Sequence, residues 1–422
     1  MSTFEYNKKK LFNDPVYGFI SLPFDIVFDI IEHPYFQRLR RIKQLGLTHL
    51  VYPGALHTRF HHALGAMHLA SKAIEVIRSK GHEITVDEAK AVCIALLLHD
   101  IGHGPFSHAL EYSISKNITH EQISSLFMEA LNKEFDGELD LAIRIFKNEY
   151  PKTFLHQLIS SQLDMDRLDY LKRDSFFTGV SEGVVNSDRI ISMLNVKNDQ
   201  LCVEAKGIYS IEKFIIARRL MYWQVYLHKT VLSAENLIVN ILKRAKFLVE
   251  KGVALPASKA LDYFLKSEID AATFRSDPKA LAYFSALDDF DITAAIKHWK
   301  DNNDKVLAAL CSSLLERKLY RIKISEEKAD HRWLASEKEK LKQASGLQDD
   351  ELKYFIFSGT IANNAYHPKM DKINLIYRDG ELEDIANASD QLNISVLSEE
   401  VIKYFYCIPK QAMVEKIKNQ RP

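Results

Sequence analysis

Residues 91–108 read AVCIALLLHDIGHGPFSH, and this stretch decides the fold. Ala91 to Leu98 is apolar at every position, the pattern of a helix buried on all sides. Gly102, Gly104 and Pro105 stop that helix immediately after His99 and Asp100, so the pair is expected to close it inside the protein. A lone buried carboxylate costs roughly several kcal/mol unless a cation or a hydrogen-bond network compensates it. An imidazole nitrogen and a carboxylate oxygen leaving one helix end therefore point to a shared divalent ion. The mixed donor set suits Mg, Mn, Fe, Ni, Co or Zn and does not choose among them.

Working outward, helical periodicity dominates from about Pro23 to Leu315. Phe24–Glu32, Phe36–Gln44, Arg59–Lys80, Val86–Leu98, His120–Leu131, Leu155–Arg173 and Ile211–Val249 carry apolar residues at three- and four-residue spacing. After Arg317 the texture changes to short β-branched and aromatic runs, Leu319–Ile324, Tyr354–Phe357, Ile373–Tyr377 and Ile394–Leu397, broken by turn residues such as Asp379-Gly380. The charged segment Glu326–Gln343 between them reads as one solvated amphipathic helix. The expected fold is mainly α with a small C-terminal α+β module. Its divisions are an N-terminal segment (1–48), a helical core with its extension (49–318) and the module (319–422).

Bulk composition narrows the function. Lys plus Arg and Asp plus Glu both total 56, so no overall charge favours nucleic acid or a membrane surface, and phosphate affinity must come from local clusters. Cys93, Cys202, Cys311 and Cys407 lie far apart, which argues against a disulfide frame or a thiolate zinc site. The N-terminus carries no signal peptide, and no apolar run approaches the ~20 residues that span a bilayer, so a cytoplasmic protein is expected. Gly-rich dinucleotide loops and Walker A sequences are absent from the chain.

One His-Asp pair supplies too few ligands. Further donors are offered by Tyr52-Pro53-Gly54-Ala55-Leu56-His57-Thr58-Arg59-Phe60-His61-His62-Ala63-Leu64-Gly65, where a turn opens a helix and places His62 one turn inside it. A second run, Leu163 to Asp174, puts Asp166, Tyr170 and either Arg173 or Asp174 on one helical face. Taken singly, each such residue is more often a cap, a surface charge or a satisfied core group. Their co-occurrence in this order is the signal.

The order His62, His99-Asp100, Asp166 resembles the H…HD…D pattern of the HD-domain metal-dependent phosphohydrolases. Further motifs resemble the deoxynucleoside triphosphate triphosphohydrolase branch: Asn13–Gly18, Pro34–Gly46, Arg59–Gly65, His99–His108, Thr119–Gln122 and Tyr226–Lys229. The likeness runs from about residue 10 to 325. It implies an HD-domain helical bundle in which His62, His99, Asp100 and Asp166 hold a divalent metal. It also implies that His108, i, i+3 from Glu111, is the general acid for the departing oxygen, and that His103, His120 and Glu121 line the phosphate pocket.

A triphosphate carries about four negative charges near neutral pH, more than one metal offsets. By the same resemblance Arg59, Arg167 and Arg218 contact phosphates; Arg167 stands where relatives commonly carry lysine. Gln44 and Asp174 match residues that bond the 3′-hydroxyl, and Tyr170 and Tyr226 match walls that leave no room for a 2′-hydroxyl. No residue stands out as a base reader, so weak base selectivity is expected. His61 departs from the glutamate often found before the first metal histidine. Asn13, Glu32, Arg40, His228 and Lys229 partly match a regulatory nucleotide site formed between subunits, which implies an activating nucleotide and a homo-oligomer, dimer or tetramer.

Two readings compete with dNTP hydrolysis to deoxynucleoside and inorganic triphosphate. One keeps the metal but changes the ester to a nucleoside monophosphate, a cyclic nucleotide or an alarmone. The other is a nucleotide sensor whose HD site is structural; the neutral net charge gives no strong case for nucleic acid.

Overall fold

Thr85 accepts the Glu88 N–H at 3.2 Å and the Glu88 carboxylate accepts the Thr85 N–H at 2.7 Å. The apolar helix of the opening motif therefore starts on a closed capping box. Leu96, Leu97 and Leu98 at its other end are fully buried, each worth about 1.5–3 kcal/mol. This helix sits in the middle of the protein. The computed structural model describes residues 10–363, 366, 371–389 and 400–419.

In chain order a hairpin, β1 (Leu11–Asp14) and β2 (Gly18–Ser21), precedes α1 (Asp25–Glu32), α2 (Arg59–Ser79), α3 (Val86–Leu98), α4 (His120–Glu134) and α5 (Met165–Thr178). A second hairpin, β3 (Leu194–Lys197) and β4 (Gln200–Glu204), leads to α6 (Ile208–Met221), α7 (Lys229–Glu250), α8 (Lys259–Lys266), α9 (Pro278–Ala286), α10 (Asp289–Trp299) and α11 (Lys305–Leu315). The chain closes with β5 (Arg321–Ser325), α12 (His331–Ser345), β6 (Phe357–Asn363), β7 (Asn374–Ile376), β8 (Leu382–Asp384), β9 (Val401–Ile408) and α13 (Gln411–Asn419). Shorter helices lie between these, and no helix among the described residues is long and apolar enough to cross a membrane.

Helix α2 packs against both α3 and α5. Gly65 makes the second contact: a Cβ there would strike the Asp169 carboxylate and the Arg173 guanidinium of α5. The HD turn is held from its other side by α4. Gly102 gives room for the His120 carbonyl and Ser124, whose hydroxyl accepts the Gly102 N–H at 2.9 Å and donates to the His99 carbonyl at 2.7 Å.

The chain is mainly helical, and its sheets are small. They run β1-β2, β3-β4-β7-β8 and β5-β9-β6. Strand β7 joins β4 in parallel, with Val203 opposite Leu375, so strands from the helical body and from the C-terminal segment share one sheet.

Several elements differ from the expected ones for local reasons. The Phe36–Gln44 helix is a short one, Pro34–Gln37, followed by a 3-10 turn at Arg38–Arg41, because fully buried Arg38 turns inward to the Ile101 and Leu287 carbonyls at 2.6 and 3.1 Å. Leu155–Arg173 is two helices, Thr153–Gln157 and α5; Asp164 caps the second by accepting the Ser161 and Arg167 N–H groups at 2.8 and 2.7 Å. Ile211–Val249 breaks at a π-turn, Tyr222–Tyr226, and resumes after His228. The β3–β4 hairpin was not foreseen, since Leu194–Glu204 is too short and too mixed to stand out. The strand expected at Tyr354–Phe357 starts at Phe357, and the charged helix starts at His331, capped by Asp330. Ile394–Leu397 lies outside the described residues.

Candidate metal centre and phosphate site

His62 projects from the first turn of α2, His99 and Asp100 from the end of α3, and Asp166 from the first turn of α5. Of these, His62, His99 and Asp166 place donor atoms within 4.8 Å of one another, whereas Asp100 groups in the same way with His103 and His120. His62 Nε2 lies 3.0 Å from Asp166 Oδ1 and 3.6 Å from Asp100 Oδ2, and His99 Nε2 lies 3.5 and 3.4 Å from Asp166 Oδ1 and Asp100 Oδ1. Donors about 2.1 Å from a common ion and at right angles to each other stand about 3 Å apart, so the His62, His99 and Asp166 donors suit a single cation, with Asp100 beside them.

The tautomers fit as well. His62 Nδ1–H donates to Asp169 Oδ2 at 2.7 Å and His99 Nδ1–H to the Leu96 carbonyl at 2.6 Å. Each ring is left with Nε2 buried and without a hydrogen-bond partner, facing the carboxylates. Without a cation, burial opposes charging His62, but contact with Asp166 and Asp169 pushes its imidazole up to about 10. Burial opposes ionisation of Asp100 and Asp166 too. Arg59, His99 and His103 nevertheless hold Asp100 well below the usual carboxylate range, and His62 with His99 does the same for Asp166. Without a cation the His62 imidazole therefore keeps a proton that metal binding would displace.

The phosphate-facing candidates surround it. Arg59, 2 % exposed, donates Nη1–H to Asp100 Oδ2 and Nε–H to Ser107 Oγ at 2.9 Å. His103 Nε2 is 3.3 Å from Asp100 Oδ1, and its ring stacks on His120 with centroids 3.9 Å apart. Burial and the Arg59 charge hold His103 well below the ordinary imidazole value. Glu121 is exposed beside His120, 3.4 Å away. The side chains of His108 and Glu111 lie outside the described residues.

Arg167 Nη1 is 3.3 Å from Asp164 and 3.9 Å from Asp166, and Arg218 Nη1 donates to Gln162 Oε1 at 3.0 Å. Both guanidiniums keep a buried Nε without a partner, as does the Gln44 Oε1. Tyr170 stands 6.5 Å from the His62 ring and 6.2 Å from the Tyr226 ring, and its phenol is raised by burial and by Tyr222. Tyr226 donates to Asp174 Oδ2 at 2.7 Å, and His57 Nε2 meets Asp174 Oδ1 at 2.7 Å. Of the alternatives on α5, Asp174 therefore joins the tyrosine wall. Arg173 turns away to Asp169 and Asp14 at 2.9 and 2.7 Å.

The regulatory candidates fall into two groups. Asn13 lies in β1, and Glu32 ends α1 near Arg40, whose guanidinium sits 3.5 Å over the Phe60 ring. His228 caps α7 by accepting the Thr230 N–H at 3.2 Å, and with Lys229 it lines a surface cavity of about 460 Å³ beside Trp223 and Lys403. No described hydrogen bond or ion pair joins the two groups within one chain. The His61 departure has a local reason: its Nδ1 accepts the Thr58 N–H at 3.2 Å, the capping-box task a glutamate performs at that position.

Sequence reasoning missed Asp169, Ser107 and Ser124. Asp169 had one available signal, its place three residues after Asp166 in the same aspartate-rich run. The two serines had none, because their role depends on which backbone groups the fold brings near them.

A family model described as HD domain matches residues 59–174, and one described as HD associated region matches 185–253. The uncharacterised protein YwfO of Bacillus subtilis is 30% identical over 91% of this chain and 88% of its own length. The deoxynucleoside triphosphate triphosphohydrolase SAMHD1 homolog of Dictyostelium discoideum is 34% identical over 56% of this chain, which spans about half of that relative (49%). Among solved structures, a phosphohydrolase from Bacteroides thetaiotaomicron is 51% identical, with a TM-score of 0.92 over 96% of this chain and 100% of that one.

Proposed function

Because the chain belongs to the HD-domain family of metal-dependent phosphohydrolases, we propose that it hydrolyses deoxynucleoside triphosphates to deoxynucleoside and inorganic triphosphate. The observation that carries this reading is where the unsatisfied buried polar atoms fall. His62 Nε2, His99 Nε2, Arg167 Nε, Arg218 Nε and Gln44 Oε1 are among them and belong to the residues implied for metal, phosphates and sugar, while others, such as those of Tyr17, Arg38, Ser187, Arg219 and Ser313, lie on residues with no such role. His62, His99, Asp100 and Asp166 would hold a divalent cation, which would supply Lewis acidity toward a phosphate oxygen and lower the pKa of a water.

The protein's own groups do the rest. Arg59, Arg167 and Arg218 offset the triphosphate charge, and the forked guanidinium of Arg59 is aimed by Asp100 and Ser107. His103, kept neutral by burial and the Arg59 charge, stands beside them as a hydrogen-bonding group. Water attacks the α-phosphorus, the bond to the 5′-oxygen breaks, and that oxygen takes a proton, for which His108 paired with Glu111 is the proposed donor. Tyr170 and Tyr226 form the wall against the sugar's 2′-position, while Asp174 and Gln44 bond its 3′-hydroxyl. An activating nucleotide at Asn13, Glu32, Arg40, His228 and Lys229, with a partner subunit completing the site, is part of the same reading and follows the resemblance.

Ion-exchange analysis of the products from each dNTP, singly and mixed, with Mg, Mn, Fe(II), Co or Ni tests the proposal. Deoxynucleoside plus triphosphate is the expected result. Diphosphate or orthophosphate as the sole inorganic product overturns the bond assignment, and turnover of monophosphate or cyclic esters without dNTP turnover moves the substrate to another phosphate ester.

A further inference from the structure

We infer that Asp289 is a positioning residue for the phosphate site: its carboxylate pins a left-handed turn at Phe106–Ser107 against the Lys43 segment and, through the Ser107 hydroxyl, sets Arg59. The inference rests on the reading of Arg59 as a phosphate-binding residue. Asp289 is the first residue of α10, where the capping work is already done by its neighbours. Asp288 Oδ1 accepts the Phe290 N–H at 2.9 Å, and Asp291 Oδ2 accepts the Asp288 N–H at 2.8 Å. The Asp289 side chain is therefore free to turn inward, where it is 2 % exposed.

There it serves two strands of backbone at once. Oδ1 accepts the Phe106 N–H at 2.7 Å, and Oδ2 accepts the Lys43 N–H at 3.0 Å with the Lys43 ammonium 3.7 Å away. Phe106 and Ser107 both have φ of 55°, a left-handed conformation that two successive non-glycine residues keep only when their surroundings impose it. Ser107 then donates its hydroxyl to the Lys43 carbonyl at 3.0 Å and accepts Arg59 Nε–H at 2.9 Å. Lys43 is thus gripped at its N–H by Asp289 and at its carbonyl by Ser107. The far arm of Arg59 rests on the metal-ligand candidate Asp100.

A group in this position must accept from two backbone amides on opposite sides. Carboxylate does so; a carboxamide offers one oxygen and turns an NH₂ toward the other amide. The chain from α10 to Arg59 crosses about half the length of the protein in sequence, so no local motif announces it.

The test is a double-mutant cycle on binding of inorganic triphosphate in matched magnesium buffer, measured by calorimetry, joined to amide hydrogen exchange. Asp289→Ala is expected to weaken triphosphate binding at least about tenfold, as loss of aim on a charged group does. Asp289→Asn is expected to weaken it less and carries the test if the alanine variant does not fold. In an Arg59→Ala background Asp289→Ala should add nothing, because the effect passes through Arg59. Losses that multiply in the double variant, or unchanged binding in both Asp289 variants, overturn the inference. So does an Asp288→Ala control that weakens binding as much as Asp289→Ala, since that would make it a matter of helix stability. The Phe106 and Lys43 amides should exchange faster in both Asp289 variants; unchanged exchange overturns the inference by itself. If wild-type protein binds no triphosphate, the proposed function fails, and the exchange result decides the positioning role alone.

Discussion

The metal cluster and the His228–Lys229 cavity are built on opposite principles. In the cluster each histidine is fixed at Nδ1 by a buried acceptor, Asp169 or the Leu96 carbonyl, and aims its Nε2 inward. At the cavity His228 spends Nδ1 on capping its own helix, Lys229 has no ion-pair partner among the described residues, and the walls open to the surface. Cross-braced, desolvated donors are organised before anything binds. Open ones await a partner to complete them, so damage to the two regions should differ in size and kind.

The largest effect is expected from Asp166→Ala. Asp166 is partly exposed and faces both His62 and His99. Its removal should abolish metal loading and lower turnover by about a thousandfold or more while circular dichroism stays native. An unfolded variant would instead make the residue structural. Asp169→Asn comes next: His62 loses its anionic support, and metal affinity should fall about 10–100-fold by titration. An unchanged affinity would break the idea that bracing is what distinguishes the cluster.

Acidity tests the same contrast. The His62 imidazole, at about 10 when no cation is bound, lies above its ordinary 6.5, so cation binding must expel a proton. Metal affinity should therefore rise about tenfold per pH unit until pH nears 10. The proton's contribution to the stability of apo protein is fully present below 6.5 and lost as pH rises through about 10, so the apo melting temperature should fall across that window. A pH-independent metal affinity between 6.5 and 9 contradicts this. The smallest effect is expected for Lys229→Ala, which should change the rate on a single dNTP by less than about threefold, as an exposed charge does, while reducing any stimulation by a second nucleotide. Equal losses in both assays would erase the difference between the regions.

The same difference governs what could be read from the sequence. Helix α3 was legible at Val86–Leu98 because the apolar run Ala91–Leu98 is stopped so soon afterwards by Gly102, Gly104 and Pro105. The four candidate ligands came from the resemblance, through the order His62, His99-Asp100, Asp166, and the fold places them at the ends of three neighbouring helices. Helix breaks were harder. Asp164 had been read as part of a continuous helix, and only the Ser161 and Arg167 N–H groups it accepts identify it as a cap. The sharing of a sheet by β4 and β7 pairs residues more than 170 positions apart, which no periodicity reports. Asp289 was invisible for the same reason, and Asp169 offered only its place in an aspartate-rich run: a supporting carboxylate is recognised by the atoms it touches more than by its neighbours in the chain.

The most direct test of the central claim is hydrolysis of a dNTP in ¹⁸O-labelled water with mass analysis of both products. Label in the inorganic triphosphate and none in the deoxynucleoside is the predicted result, since water attacks phosphorus and the sugar keeps its 5′-oxygen. Label in the deoxynucleoside, or release of labelled orthophosphate or diphosphate in place of triphosphate, would contradict it.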